Sequence, residues 1–268
     1  MIIDFHTHVF PDKMAEATIK DLEQKSGLHA ATNGCVKGLL TSMDEARVTK
    51  SVILPVVTAP RQFEGINRFA VGINENPDNN GRLISFGGIH PDCDDYKEQL
   101  NILKKMGFQG IKLHPDYQGV FFNDIRYKRI VSYASELGLL ISVHAGIDIG
   151  IPEPVRCTPA MSAEVLKDTE SDKLILAHLG GWKMWNEVED YLVGSKAYLD
   201  TSFIQQFISD EQFERIVASH GVDKILFATD CPWDSQERAV KWLQQSSLSM
   251  QDKDRIFFEN AIALLDES

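Results

Sequence analysis

Basic residues are scarce in this 268-residue chain: 27 Lys and Arg against 39 Asp and Glu leave a net charge of −12. That balance argues against nucleic acid or an anionic membrane surface as a partner, because both select basic patches. No stretch approaches the roughly 18 consecutive apolar residues that a membrane span needs. The first residues read as strand rather than as a basic segment followed by an apolar one, so no signal peptide is expected. Cysteine is sparse too. Cys35, Cys93, Cys157 and Cys231 are far apart and form no Cys-x-x-Cys pair, which leaves neither a cysteine zinc knuckle nor a disulfide framework. Reduced thiols in a cytoplasmic protein are the expectation. Low-complexity sequence, linkers and composition shifts are also lacking, so a single domain over residues 1–268 is expected.

What is present is alternation. Short apolar runs recur at Ile2–Phe5, Ser51–Pro55, Leu83–His90, Gly110–His114, Leu139–His144, Lys173–His178, Ala197–Thr201 and Lys224–Asp230. Segments of helical spacing separate them. One of these is a short helix opened by Ser42-Met-Asp-Glu45, which has the form of a capping box, with residues 26–41 irregular before it. Strands alternating with helices imply parallel strands joined by crossovers. Eight such units in about this length make a (β/α)8 TIM barrel, an α/β fold, the leading architecture. A doubly wound open sheet is the alternative, but no glycine-rich nucleotide loop follows the first strand.

Chemistry gathers at the ends of these strands. Asp4-Phe-His-Thr-His8 places two histidines one residue apart, and side chains at that spacing share a face of a strand. Two imidazoles on one rigid strand suit a divalent metal. By the same parity, Asp4 is expected one layer deeper. His90, His114, His144, His178 and Asp230 close later strands, so six of the eight histidines and a carboxylate fall at strand C-termini. In a (β/α)8 barrel those ends converge on one mouth, where active sites are found. The pattern predicts a metal-centred active site.

With these residues in hand, the chain resembles the amidohydrolase superfamily. It is particularly similar to the metal-dependent branch related to aminocarboxymuconate-semialdehyde decarboxylase. The matching pieces are Asp4–His8, Gly110-Ile-Lys-Leu-His-Pro115, Val143-His-Ala-Gly146, Ala177-His-Leu-Gly-Gly181 and Ile225-Leu-Phe-Ala-Thr-Asp-Cys-Pro-Trp233, spread over the whole chain. The resemblance implies that His6, His8, His144 and Asp230 hold one divalent metal, with zinc favoured. It also implies catalytic roles for Asp230, as proton acceptor, and for His178, which would polarise a substrate carbonyl. Binuclear members bridge two metals with a carboxylated lysine on the fourth strand, so Lys112 leaves a two-metal site as the less favoured alternative.

His90, Lys112, His114, Arg156 and Trp233 are candidates for substrate binding, with Arg61 and Tyr117 as further mouth-side residues. The resemblance suggests a homodimer and a small-molecule substrate. Two reactions share this ligand set. One is metal-dependent hydrolysis of an amide, lactone or ester, the reading favoured here; the other is non-oxidative decarboxylation of a small aromatic or unsaturated acid.

Overall fold

The computed structural model describes residues 1–266. Nine short strands run in parallel: β1 (Ile3–Thr7), β2 (Lys50–Ile53), β3 (Leu83–Ser85), β4 (Gly87–Gly88), β5 (Gly110–Leu113), β6 (Leu140–Val143), β7 (Leu174–Leu176), β8 (Tyr198–Asp200) and β9 (Ile225–Leu226). They form one ladder β1-β2-β3 and a second β4 through β9 in sequence order. The two ladders close on each other. Phe86 N donates to Ile53 O (2.9 Å) at one junction. At the other, Phe5 N donates to Phe227 O (2.9 Å) and Asp230 N to His6 O (2.8 Å), and Thr7 pairs with Cys231. The result is the expected barrel, with β3 and β4 as two halves of one strand position.

That split has a local cause. Two asparagines of the helix Phe63–Asn74 reach into the strand. Asn74 brackets Ser85, accepting from its N (2.6 Å) and donating to its O (2.9 Å), and Asn67 does the same to Gly88 (2.8 and 2.9 Å). Side-chain amides thus take up backbone groups that a continuous ladder would have paired.

The helices, in chain order, are α1 (Asp12–Ser26), α2 (Val36–Ala46), α3 (Phe63–Asn74), α4 (Tyr96–Lys105), α5 (Pro115–Gln118), α6 (Ile125–Glu136), α7 (Pro159–Thr169), α8 (Trp185–Tyr191), α9 (Asp210–His220), α10 (Gln236–Gln245), α11 (Met250–Asp254) and α12 (Asn260–Asp266). None of the described helices is long and apolar enough to cross a membrane. Helix α2 corrects the sequence expectation. It starts at Val36, where Cys35 Sγ accepts from Gly38 N (3.4 Å), so Ser42–Glu45 lies inside the helix rather than at its start. The buried set Leu39, Met43 and Ala46 at helical spacing explains the earlier start. A π-turn, Arg255–Glu259, joins α11 to α12 and turns the Ile256 carbonyl to Phe227 N (2.9 Å), docking this helix onto the barrel beside β9.

Two apolar layers hold the fold. Outward residues such as Ile53, Ile111, Leu113, Ile141, Val143, Leu174 and Leu199 pack under the helices. A second cluster fills the barrel interior: Ile3, Phe5, Val52, Leu54, Phe86, Leu140, Ile175, Leu226 and Ala228. Gly110 makes room for it, since a Cβ there would lie 2.4 Å from the Phe86 ring.

This packing also corrects the reading of Asp4. Its register with β2 shifts between Asp4 and Thr7, and the irregularity re-aims the side chains. Ile3 and Phe5 therefore fill the layer below His6. Asp4 turns instead to Thr229 Oγ1 (2.6 Å) and to Gln236 Nε2 (2.7 Å) at the start of α10.

Candidate metal centre

His6 and His8 emerge from β1 with their Nε2 atoms 3.1 Å apart. Asp230, just beyond β9, brings Oδ1 to 3.1 Å from His8 Nε2 and 3.4 Å from His6 Nε2. Three donors thus lie within 4.8 Å of one another.

Their partners fix where the imidazole protons sit. His6 Nδ1 faces Asp200 Oδ2 (3.0 Å), and His8 Nδ1 faces the Leu54 carbonyl (2.8 Å). His178 Nδ1 faces the Ser202 carbonyl (2.9 Å). A carbonyl or carboxylate only accepts, so each of these Nδ1 atoms carries a proton, and in the neutral ring each Nε2 is a bare lone pair. Bare nitrogens and a carboxylate oxygen turned on each other, with no proton among them, are a cradle for a cation.

The charge states agree. Burial pushes His6 down to about 4, with the Lys112 charge adding to the effect against the pull of Asp200. Burial would raise Asp230, but His6 and His8 outweigh it and hold the carboxyl at about 2. Neutral imidazole beside ionised carboxylate is the state that metal ligands require.

Asp200, at the end of β8, is fully buried and supports this arrangement. Its Oδ1 accepts from Ser202 Oγ, from Ser202 N (3.0 Å) and from His178 N (3.1 Å), while Oδ2 orients His6. Against the cost of burial, His6 and these hydrogen bonds keep it ionised. Sequence reasoning missed this residue, although a carboxylate ending an inner strand was a visible signal.

The expected fourth ligand lies close by in a second group. His144 Nδ1 is 3.1 Å from His178 Nε2, and the His6 and His178 ring centroids are 5.5 Å apart. The ring of His144 stacks on His114, centroids 4.2 Å apart and 8° from parallel. His114, His144 and Asp148 form their own convergent cluster, so the structure does not draw His144 into the His6–His8–Asp230 group. Burial, then neighbouring cationic groups, pushes both His114 and His144 well below the usual histidine range.

Lys112 is buried beneath these groups, with Nζ 3.2 Å from His6 Nε2. Burial lowers it to about 8, against the attraction of Asp200 and Asp230, so it gives up its proton more readily than a surface lysine.

Above the centre is a cavity of about 70 Å³. His144, His178, Asp148 and Asp230 give it polar groups, and Trp182, Phe203, Trp233, Ile147 and Ile149 give it apolar walls. Trp233 and Tyr117 therefore stand where substrate-facing residues were expected. Gly146 (φ 89°) permits the close approach that forms one side, since a Cβ there would lie 2.0 Å from Trp182 N. Three residues other than glycine that line the cavity hold positive φ: His178, Phe203 and Asp230, at 54–66°. Such backbone costs about 1–3 kcal/mol each and gathers at functional sites.

Other candidates lie elsewhere. Arg156 is absent from the cavity lining; its backbone N donates to Asp116 Oδ1 (3.1 Å) and its guanidinium to Pro154 O (3.3 Å). His90 is turned into its own loop, where Nδ1 accepts from Asp92 N (3.1 Å). Arg61 is exposed.

Comparison with known proteins decides the family. The chain matches the amidohydrolase family over residues 3–266. It belongs to that family. No curated protein matches it. Among solved structures, an uncharacterised TIM-barrel protein from Bordetella bronchiseptica is similar at TM-score 0.76 and 16% identity, covering 99% of this chain and 98% of the other. The 5-carboxyvanillate decarboxylase of Sphingomonas paucimobilis is similar at TM-score 0.70 and 14% identity, with 99% and 98% covered. A dihydroxybenzoic acid decarboxylase from a Polaromonas species, with bound manganese and 2-nitroresorcinol, is similar at TM-score 0.72 and 16% identity, with 99% and 96% covered. At these identities the likeness is one of fold.

Proposed function

We propose that this amidohydrolase-family enzyme is a divalent-metal-dependent, non-oxidative decarboxylase of a small aromatic or unsaturated carboxylic acid. The observation that carries the reading is a cation cradle at the floor of an aromatic-walled cavity, with Asp230 and His178 both facing the space a substrate would take. The similar structures that are decarboxylases of hydroxylated benzoates favour this reaction over the hydrolysis first expected from sequence.

His6, His8 and Asp230 would hold the metal, with His144 as fourth ligand. Manganese, present in one similar structure, stands beside zinc as a candidate. The bound cation would supply a fixed positive charge that anchors a substrate oxygen and draws electron density from the scissile carbon.

The side chains then have separate tasks. Trp182, Phe203 and Trp233 pack against a planar ring and exclude water. His178 carries its proton on Nδ1, so neutral Nε2 accepts a hydrogen bond from a substrate hydroxyl. Asp230 moves the proton. Ionised at rest, Asp230 takes the proton of the substrate's carboxyl group; when the C–CO2 bond breaks, its electron pair stays on the substrate carbon, and Asp230 returns that proton there in place of the lost carboxyl. The four cysteines are free thiols, which accords with a cytoplasmic setting. Burial pushes the Cys231 thiol upward, away from use as a nucleophile beside Asp230.

The test is a panel of hydroxybenzoates, unsaturated acids, lactones and amides incubated with zinc- or manganese-loaded protein. CO2 with the decarboxylated product from at least one acid supports the reading. Hydrolysis of a lactone or amide without CO2 from any acid rejects it.

A further inference from the structure

Two buried polar atoms near the centre have no hydrogen-bond partner: His144 Nε2 and Asp116 Oδ2. They face each other at 3.9 Å. The other nearby carboxylate, Asp148, has its Oδ2 equally far from His144 Nε2 (3.9 Å) but is engaged elsewhere. Its Oδ1 accepts from Gly150 N (2.8 Å) and Ile151 N (2.9 Å), and its Oδ2 lies 3.6 Å from His114 Nε2. His114 Nδ1 accepts from Tyr117 N (3.4 Å), so its proton is on Nε2 and points to Asp148.

We propose that Asp116 is a positioning residue for His144: its Oδ2 accepts the Nε2 proton and so leaves His144 Nδ1 bare, turned to His178 and the metal. The proposal rests on the metal-dependent reading above. Two features of the fold make Asp116 suited to the task. It sits on α5 directly after β5, and its other oxygen is pinned by the backbone N–H of Arg156, from the loop that follows β6. The Arg156 guanidinium lies 3.9 Å from that same oxygen. Arg156 thus steadies the carboxylate rather than a substrate. Stacking between His114 and His144 limits rotation of the ring about the direction that matters. A carboxylate behind a histidine fixes tautomer and ring orientation, and its loss weakens metal binding about 10–100-fold.

Asp116→Asn is the informative variant. Arg156 N–H requires an acceptor, so the amide must keep its oxygen there and turn its NH2 to His144 Nε2. That reverses the tautomer, putting the proton on Nδ1, where it blocks ligation. Asp116→Ala removes the acceptor without imposing the reversal.

The experiment titrates EDTA-stripped full-length protein with zinc and with manganese against a competing chelator. In parallel, ¹⁵N NMR of histidine-labelled protein reads the His144 tautomer, and thermal unfolding is followed without metal. We expect the metal dissociation constant to rise about 10–100-fold in Asp116→Asn, and the His144 proton to move from Nε2 to Nδ1. The metal-free melting temperature should stay near wild type.

Unchanged affinity in both variants overturns the proposal. So does a fall in metal-free stability without a change of tautomer, which would make Asp116 only a brace for the loop. A second metal equivalent in the wild type that vanishes in Asp116→Asn also overturns it, because the His114–His144–Asp148 cluster would then be a cation site itself. If the wild type takes up no metal, the decarboxylase reading fails, while the tautomer measurement still judges Asp116.

Discussion

The lower and upper halves of the barrel interior are built from the same inward positions of the same strands, yet they do opposite things. On β6 the inward series runs Leu140, Ser142, His144; after β9 begins, it runs Leu226, Ala228, Asp230. On β1, Phe5 gives way to His6 and His8. Below, Ile3, Phe5, Leu54, Phe86, Leu140 and Leu226 close the barrel with apolar packing. Further along these strands, the interior fills with buried imidazoles, Lys112, Asp200 and Asp230. One rigid plug thus supports a layer that is costly to bury until a cation joins it. A barrel separates stability from chemistry by depth along its axis.

The sharpest way to break that separation is to change one group in the upper layer. Asp230→Asn should lower turnover on the order of 10²–10⁴-fold, the usual contribution of a positioned acid or base, while the far-UV spectrum and fold persist. Turnover near wild type would remove Asp230 from the mechanism. Changing the lower layer should do the reverse. Phe5 is fully buried against Phe86, with ring centroids 6.0 Å apart. Phe5→Ala should cost about 3–5 kcal/mol of stability, read by denaturant unfolding of the metal-free protein. A cost below about 1 kcal/mol would show that the plug does not carry the fold.

A smaller effect sharpens the boundary between the halves. Burial raises the Asp4 carboxyl from 3.8 to about 7, and hydrogen bonds from Thr229 and Gln236 offset only part of it. The folded value lies above the unfolded one, so the folded state keeps a proton that the unfolded chain has released. Wild-type stability should therefore fall as pH rises from about 4 to about 7 through this group. Asp4→Asn removes that term, so its stability relative to wild type should improve over the same window. Parallel pH profiles for the two proteins would contradict the assignment.

The barrel and its mouth were legible because strand spacing and strand-end histidines are written locally: His6, His8, His144, His178 and Asp230 could be placed by parity and position. The features that were not legible depend on geometry between distant segments. The register shift that turns Asp4 towards Gln236 leaves no mark in the Asp4–His8 spacing. The Ser42–Glu45 pattern looked like a helix start, but burial of Leu39 and Met43 extends the helix back to Cys35. Asp116 and Asp148 sit beyond the strand ends, and only the fold shows them behind His114 and His144. Arg156 had the charge to meet an anion, but its guanidinium donates to the Pro154 carbonyl and lies near Asp116, and it does not line the cavity.

The central claim is that the bare Nε2 atoms of His6 and His8, with Asp230, form a place for one divalent cation. Its most direct test is elemental analysis with competitive zinc and manganese titration of the full chain, alongside His8→Ala. We expect one equivalent per chain, lost or greatly weakened in the variant. No uptake by the wild type, or one equivalent held equally well without His8, would contradict it.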